Sequence, residues 1–300
     1  MMPTHSLEDL KHFHNEATNF FGAELMMLKE VIPMIKNDRI AKAAVLLMSC
    51  GQTGAAFLQL ANQTDSFTRE SAMLARAFME TITNFCYVGI CDDKEYRSFI
   101  LHPIYKQYHN IGSYKMENDL DFSATDNIEE IANKYKKEKL EKDAKQAKMR
   151  ESKIVQEALA MFSDTKPTLN WSKKSLNERL DVLRDWGKFM DFFFAINKMQ
   201  YYSDASEALH GSLYGCTYNL GMLEPGFNLD KKDELEIKLY KDSTCMLLHL
   251  GMLIHESFTL ILYTDNIKEI WEHSYKNRGH ALSLLFHVIK PKTEPNSDIK

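Results

Sequence analysis

Apolar residues fall at helical spacing along most of the chain. From Leu10 they recur at Phe13, Phe20, Phe21, Leu25, Leu28 and Ile32, steps that place them on one side of a helix. Ser6 and Asp9 have the spacing of a capping box, and Pro33 interrupts the pattern. A first helix is expected to about residue 35. Asn37 or Asp38 can cap a second helix to about residue 63, and Asp65 or Ser66 a third to about residue 90.

Residues 92–117 are aromatic and interrupted by His102-Pro103. Proline lacks the amide hydrogen and crowds the preceding turn, so two short helices are expected there. Residues 127–162 carry a dense Lys/Glu run over a thin apolar stripe (Ile128, Ile131, Tyr135, Leu140, Ala144, Ala147, Ile154), which predicts a long solvated helical arm. Residues 134–148 are basic on balance, but interleaved acids and scarce aromatics make a poor RNA-contacting surface. Residues 163–171 form the clearest loop. Ser175-x-x-Glu178 then opens a short helix closed by Gly187. Further helices are expected over 189–218, 233–263 and 266–288, with a turn at Pro225-Gly226 and a disordered tail over 290–300.

Alternating strand patterns are hard to find, and the chain has only 12 Gly and 7 Pro. The expected class is therefore all-α: a bundle of long helices with a projecting charged helical arm. Residues 1–125 form the first part of the core, 126–165 the arm, and 166–289 the second part of the core.

A hydrophobic content of 44% with 26% charge is that of a globular chain. A net charge of −5 gives no global attraction to nucleic acid or an anionic membrane. Five cysteines without a C-x-x-C pair argue against a disulfide framework and a thiolate zinc site, and fit a reducing cytosol. Residues 1–10 lack a secretory pattern. Residues 43–61 and 245–263 are apolar enough to test as membrane spans. The first holds Ser49, Gln52, Thr53 and Gln59, and the second His249, His255 and Glu256, so both read as buried core helices. A cytoplasmic location without membrane is expected, and long amphipathic helices suit a homodimer.

Arg76 and Glu80 are the only charges between Ser71 and Cys91. Their i, i+4 spacing puts both on one face of an apolar helix, continued by Thr83 or Asn84 and Tyr87. They could fix helix register as an ion pair or face partners from another helix. Tyr202, Ser206, His210 and Tyr214 recur every four residues as a second polar stripe, in which His210 suits general acid/base work. Tyr87, Tyr202, Glu207 and Tyr214 are the expected binding residues. Glu207-x-x-His210 has the spacing of half a di-iron site, but no second copy occurs, so neither metal nor cofactor is expected. Arg97 and His102 are discounted, because such spacings arise about once by chance in this composition. Gly51-Gln52-Thr53-Gly54 lacks the lysine of a phosphate loop and reads as close helix packing. His249 and Glu256 share a face and read as core neighbours or as support for the same cavity.

The combination Arg76-x-x-x-Glu80, Trp171-Ser172-x-x-Ser175 and Tyr202-x-x-x-Ser206-x-x-x-His210-Gly211 resembles a bacterial all-α family, domain of unknown function 5677, over most of residues 60–220. That family is in turn loosely similar to HEPN-type helical proteins of toxin and phage-defence systems. The resemblance implies that Arg76, Glu80, Ser206 and His210 are signature positions that meet in space. HEPN ribonucleases place their Arg and His a few residues apart on one helix, and this chain separates Arg76 from His210. Two functions follow as expectations: a metal-independent ribonuclease or nucleotide-acting enzyme, or a non-catalytic module binding a protein partner or small ligand around a buried polar network.

Overall fold

A computed structural model describes residues 5–63, 69–110, 128–163, 170–186, 202, 205 and 232–289. Nine α-helices and no strand occur among them: α1 (Leu7–Val31), α2 (Asp38–Ala61), α3 (Arg69–Ile90), α4 (Asp93–His109), α5 (Ile128–Arg150), α6 (Lys153–Met161), α7 (Leu176–Trp186), α8 (Lys232–Asp265) and α9 (Lys268–Ile289). The protein is all-α. Two compact units divide the chain, Met1–Ile90 with Leu176–Lys300, and Cys91–Ser175.

In the first unit the caps lie where side-chain chemistry calls for them. Ser6 and Asp9 form a capping box, each bonding the other's backbone N–H at 3.1–3.2 Å. Pro33 converts the end of α1 into a 3₁₀ turn, Ile32–Met34. The Asn37 side chain accepts from the backbone N–H groups of Arg39 and Ile40, opening α2. Asp265, at the end of α8, accepts from the backbone N–H groups of Lys36 and Asn37 at 3.1 and 2.9 Å. Asn266 then adopts a left-handed conformation (φ 47°), tolerable for asparagine, and turns the chain into α9.

Phe21 packs against Phe57 and Phe78 at ring separations of 6.1 and 5.9 Å, joining α1, α2 and α3 in one core. A Cβ on Gly54 would lie 2.7–3.3 Å from Leu25, Phe78 and Phe21, whereas one on Gly51 would meet nothing. Close packing therefore explains Gly54 and not Gly51. Gly54→Ala is expected to lower unfolding stability by about 1–3 kcal/mol through overpacking. Gly51→Ala should raise it by up to about 1 kcal/mol through helix propensity. Urea melts of the two variants check this pair, and equal shifts would contradict the packing described.

In the second unit α4 runs unbroken through Pro103, where two helices were expected. Leu101 and Tyr105 are buried against Ala158 and Phe162, and this packing offsets the missing hydrogen bond. Arg97 holds Glu157 through two hydrogen bonds of 2.7 and 2.5 Å, and His102 packs on Phe162. The Arg97–His102 spacing thus has a structural explanation. The charged arm forms two helices where one was expected, broken at Glu151-Ser152 between α5 and α6. The described side chains of α5 are largely exposed.

Among the described residues two helices are long and apolar enough to cross a membrane. The window in Glu236–Asp265 is 83% buried within the protein, as expected of a core helix, and that in Asp38–Ala61 is 33% buried. The helix expected over 189–218 and the turn at Pro225-Gly226 lie outside the described residues.

Candidate functional site

α3 is apolar on all sides save one stripe, and that stripe positions Arg76. The Arg76 Nε donates to Glu80 Oε1 at 2.9 Å, the i, i+4 pair read from the sequence. The guanidinium lies over the Tyr202 ring, 4.5 Å from its centroid, and Nη2 donates to the Tyr202 hydroxyl at 3.4 Å. Its Nη1 is buried and has no hydrogen-bond partner among the described residues. The Arg76 side chain is 13% exposed and that of Glu80 37%, so the pair sits at the rim of the unit and not sealed within it. Burial, and then the Glu80 charge, raises the Tyr202 phenol, keeping it a neutral donor and acceptor. Ala205, three residues on, is fully buried.

Farther along the stripe the residues are structural. Thr83 is buried and donates to the Met79 carbonyl at 2.8 Å. Asn84 accepts from Arg179 of α7, whose guanidinium is buried beside α3. Tyr87 is fully buried. It shares the helical phase of Arg76, eleven residues and about three turns farther along α3. Arg179 escaped the sequence reading, although it stands directly before Leu180 among core positions Leu176, Leu180 and Leu183. A charge at such a position is the signal that could have found it. Ser206, Glu207, His210 and Tyr214 lie outside the described residues.

Trp171 and Ser172 anchor a loop within the second unit. The Trp171 carbonyl accepts from Ser98 at 2.5 Å, its ring meets Phe99 edge-on, and the Ser172 hydroxyl donates to Glu95 at 2.7 Å.

A second polar cluster, not foreseen, sits where α1, α8 and α9 meet. Glu24 is fully buried. Its Oε1 lies 2.8 Å from His273 Nε2, 3.2 Å from His255 Nε2 and 3.3 Å from Asn277 Nδ2. Burial pushes the Glu24 carboxyl up, but the hydrogen bonds and charges of His255 and His273 together outweigh it and leave the group below its ordinary value. Phe20 stacks on His255, with the rings 5.9 Å apart. The signal was present: Glu24 falls in phase with the apolar stripe Ala17, Phe20, Phe21, Met27, Leu28 and Val31. No group of three His, Cys, Asp or Glu side chains able to hold a metal ion occurs among the described residues. Burial raises the Cys50 and Cys86 thiols well above their ordinary value, which suppresses nucleophilic chemistry there.

His249 and Glu256 are both buried on α8. Burial lowers His249 to about 4 and raises Glu256 to about 7, although Glu256 accepts from Arg278 at 2.7 Å. The two shifts act oppositely on stability. Between about pH 6.5 and 4 the unfolded state binds the His249 proton more tightly, so that term falls as pH falls. Between about pH 4.5 and 7 the folded state binds the Glu256 proton more tightly, so that term rises as pH falls. Wild-type stability should therefore change little between pH 6.5 and 4.5 through this pair. His249→Leu removes one slope, and its urea midpoint should rise on acidification relative to wild type. Parallel profiles would contradict the assignment.

Fold and site together define a helical-bundle protein with an arginine braced by a carboxylate and an aromatic ring at its rim. Residues 42–227 match the family of unknown function DUF5677, to which the chain belongs. The matched segment begins within α2, contains Arg76, Glu80, Tyr202, Ser206 and His210, and leaves α1, α8 and α9 outside it. No curated protein and no solved structure matches the chain.

Proposed function

We infer that the protein is a toxin- or defence-type enzyme that cleaves RNA or acts on a nucleotide without a metal ion, with Arg76 as its phosphate-binding cation. One observation carries the reading: Arg76 is oriented by Glu80 and Tyr202 while Nη1 remains buried without a partner among the described residues. A buried guanidinium N–H without an acceptor is costly, and a phosphate oxygen satisfies it with a charge-assisted bond. Ser206 and His210 follow Tyr202 at four-residue steps in sequence. In this mechanism His210 moves the proton of a ribose hydroxyl, Arg76 stabilises the charge developing on phosphorus, and Glu80 and Ser206 orient them.

A second reading, a non-catalytic module binding a protein or small ligand, draws on the lower half of the same stripe. There Thr83, Tyr87 and Arg179 are buried, and Arg179 donates to Asn84. Binding of fluorescent tRNA separates the two. Arg76→Lys keeps the charge but loses the planar fork and the stack, and should weaken binding about tenfold or more with unchanged melting. Unchanged affinity with a lowered melting temperature would favour the structural module.

A further inference from the structure

α9 has two apolar faces. One, with Ile270, Ala281, Leu284, Leu285 and Val288, is buried in the first unit. The other carries Trp271, Tyr275, Phe286 and Ile289, each more than half exposed and Tyr275 84% exposed, with Gly279 and Leu282 between them. Steps of 4, 4, 3, 4 and 3 hold these six positions within a narrow stripe along the helix. Gly279 is exposed at the middle of the stripe, and a Cβ there would meet nothing within 4 Å. Among the described residues nothing around Gly279 calls for a glycine, which costs about 1 kcal/mol in a helix interior.

We propose that this stripe is the interface of a homodimer in which α9 packs antiparallel against α9 of a second copy. The stripe is self-complementary about its centre: antiparallel pairing sets Tyr275 against the copy's Phe286, and Leu282 against the copy's Gly279, where the missing Cβ lets the helices approach. Because residue i meets j and j meets i, the contact closes as a two-fold pair. Opposed helix dipoles favour the same direction. The exposed parts of Trp271, Tyr275 and Phe286 amount to roughly 400 Å² per copy. That is about half of what a standard interface buries on each side, and the remaining stripe residues and flanking stems extend it.

Sedimentation of the full chain over a concentration series tests the proposal. Wild type should associate to a dimer, and Tyr275→Glu/Phe286→Glu should sediment as a folded monomer. Gly279→Leu should weaken the dimer tenfold or more while raising the melting temperature of the chain, because its side chain clashes only across the interface. A monomeric wild type at every concentration would overturn the proposal, as would a dimer unaffected by all three substitutions. Co-sedimentation of monomeric wild type with lipid vesicles would assign the stripe to a membrane surface and overturn it equally.

Discussion

Glu24→Ala is expected to cost about 3–5 kcal/mol of unfolding stability, the range found when one partner of a buried charged cluster is removed. The Glu24 carboxylate is the acceptor for His273 and Asn277 and lies 3.2 Å from His255 Nε2, on two other helices. Its loss leaves His273 and Asn277 without that acceptor and a cavity beside Phe20. Glu24→Gln keeps the shape and one acceptor oxygen, so it should lose less than Glu24→Ala. Because the folded-state carboxyl lies below its ordinary value, this contribution is present above the ordinary carboxylate pKa and is lost as pH falls through the folded value. Urea melts of both variants at neutral pH check the ordering; a Glu24→Ala variant as stable as wild type would remove the cluster from the account of the core.

The largest expected effect on activity is at Arg76. Arg76→Ala should lower the rate of RNA cleavage by about 10²–10³-fold, as removal of a preorganised transition-state donor does. It should leave the fold intact, since Glu80 is already partly solvated and Tyr202 half-buried. Tyr202→Phe removes the hydroxyl but keeps the ring beneath the guanidinium, so it should cost far less than Tyr202→Ala. Single-turnover cleavage rates at matched melting temperature check the series. Equal rates for Tyr202→Phe and Tyr202→Ala would show that the stack does not position Arg76.

How much of this was legible in the sequence depends on the range of the interaction. Helix ends set by local chemistry, at Ser6, Asn37 and Pro33, could be read because their partners lie within a few residues. Arg76–Glu80 was legible for the same reason. Pro103 was misread because burial of Leu101 and Tyr105 against α6 depends on contacts more than fifty residues away. Glu24 was overlooked because its partners lie some 230–250 positions on. A charge in phase with an apolar stripe marks such sites without naming the partner. Tyr87 shows the converse, since helical phase placed it with Arg76 while depth in the core did not follow from phase.

The central claim, that Arg76 and the Tyr202–His210 segment act on RNA without a metal ion, is tested most directly by incubating purified protein with total RNA and with tRNA, with and without EDTA. Wild type and His210→Ala are compared at matched folding. The account predicts cleavage that survives EDTA and is lost in His210→Ala; intact RNA in every lane, or cleavage persisting in His210→Ala, would contradict it.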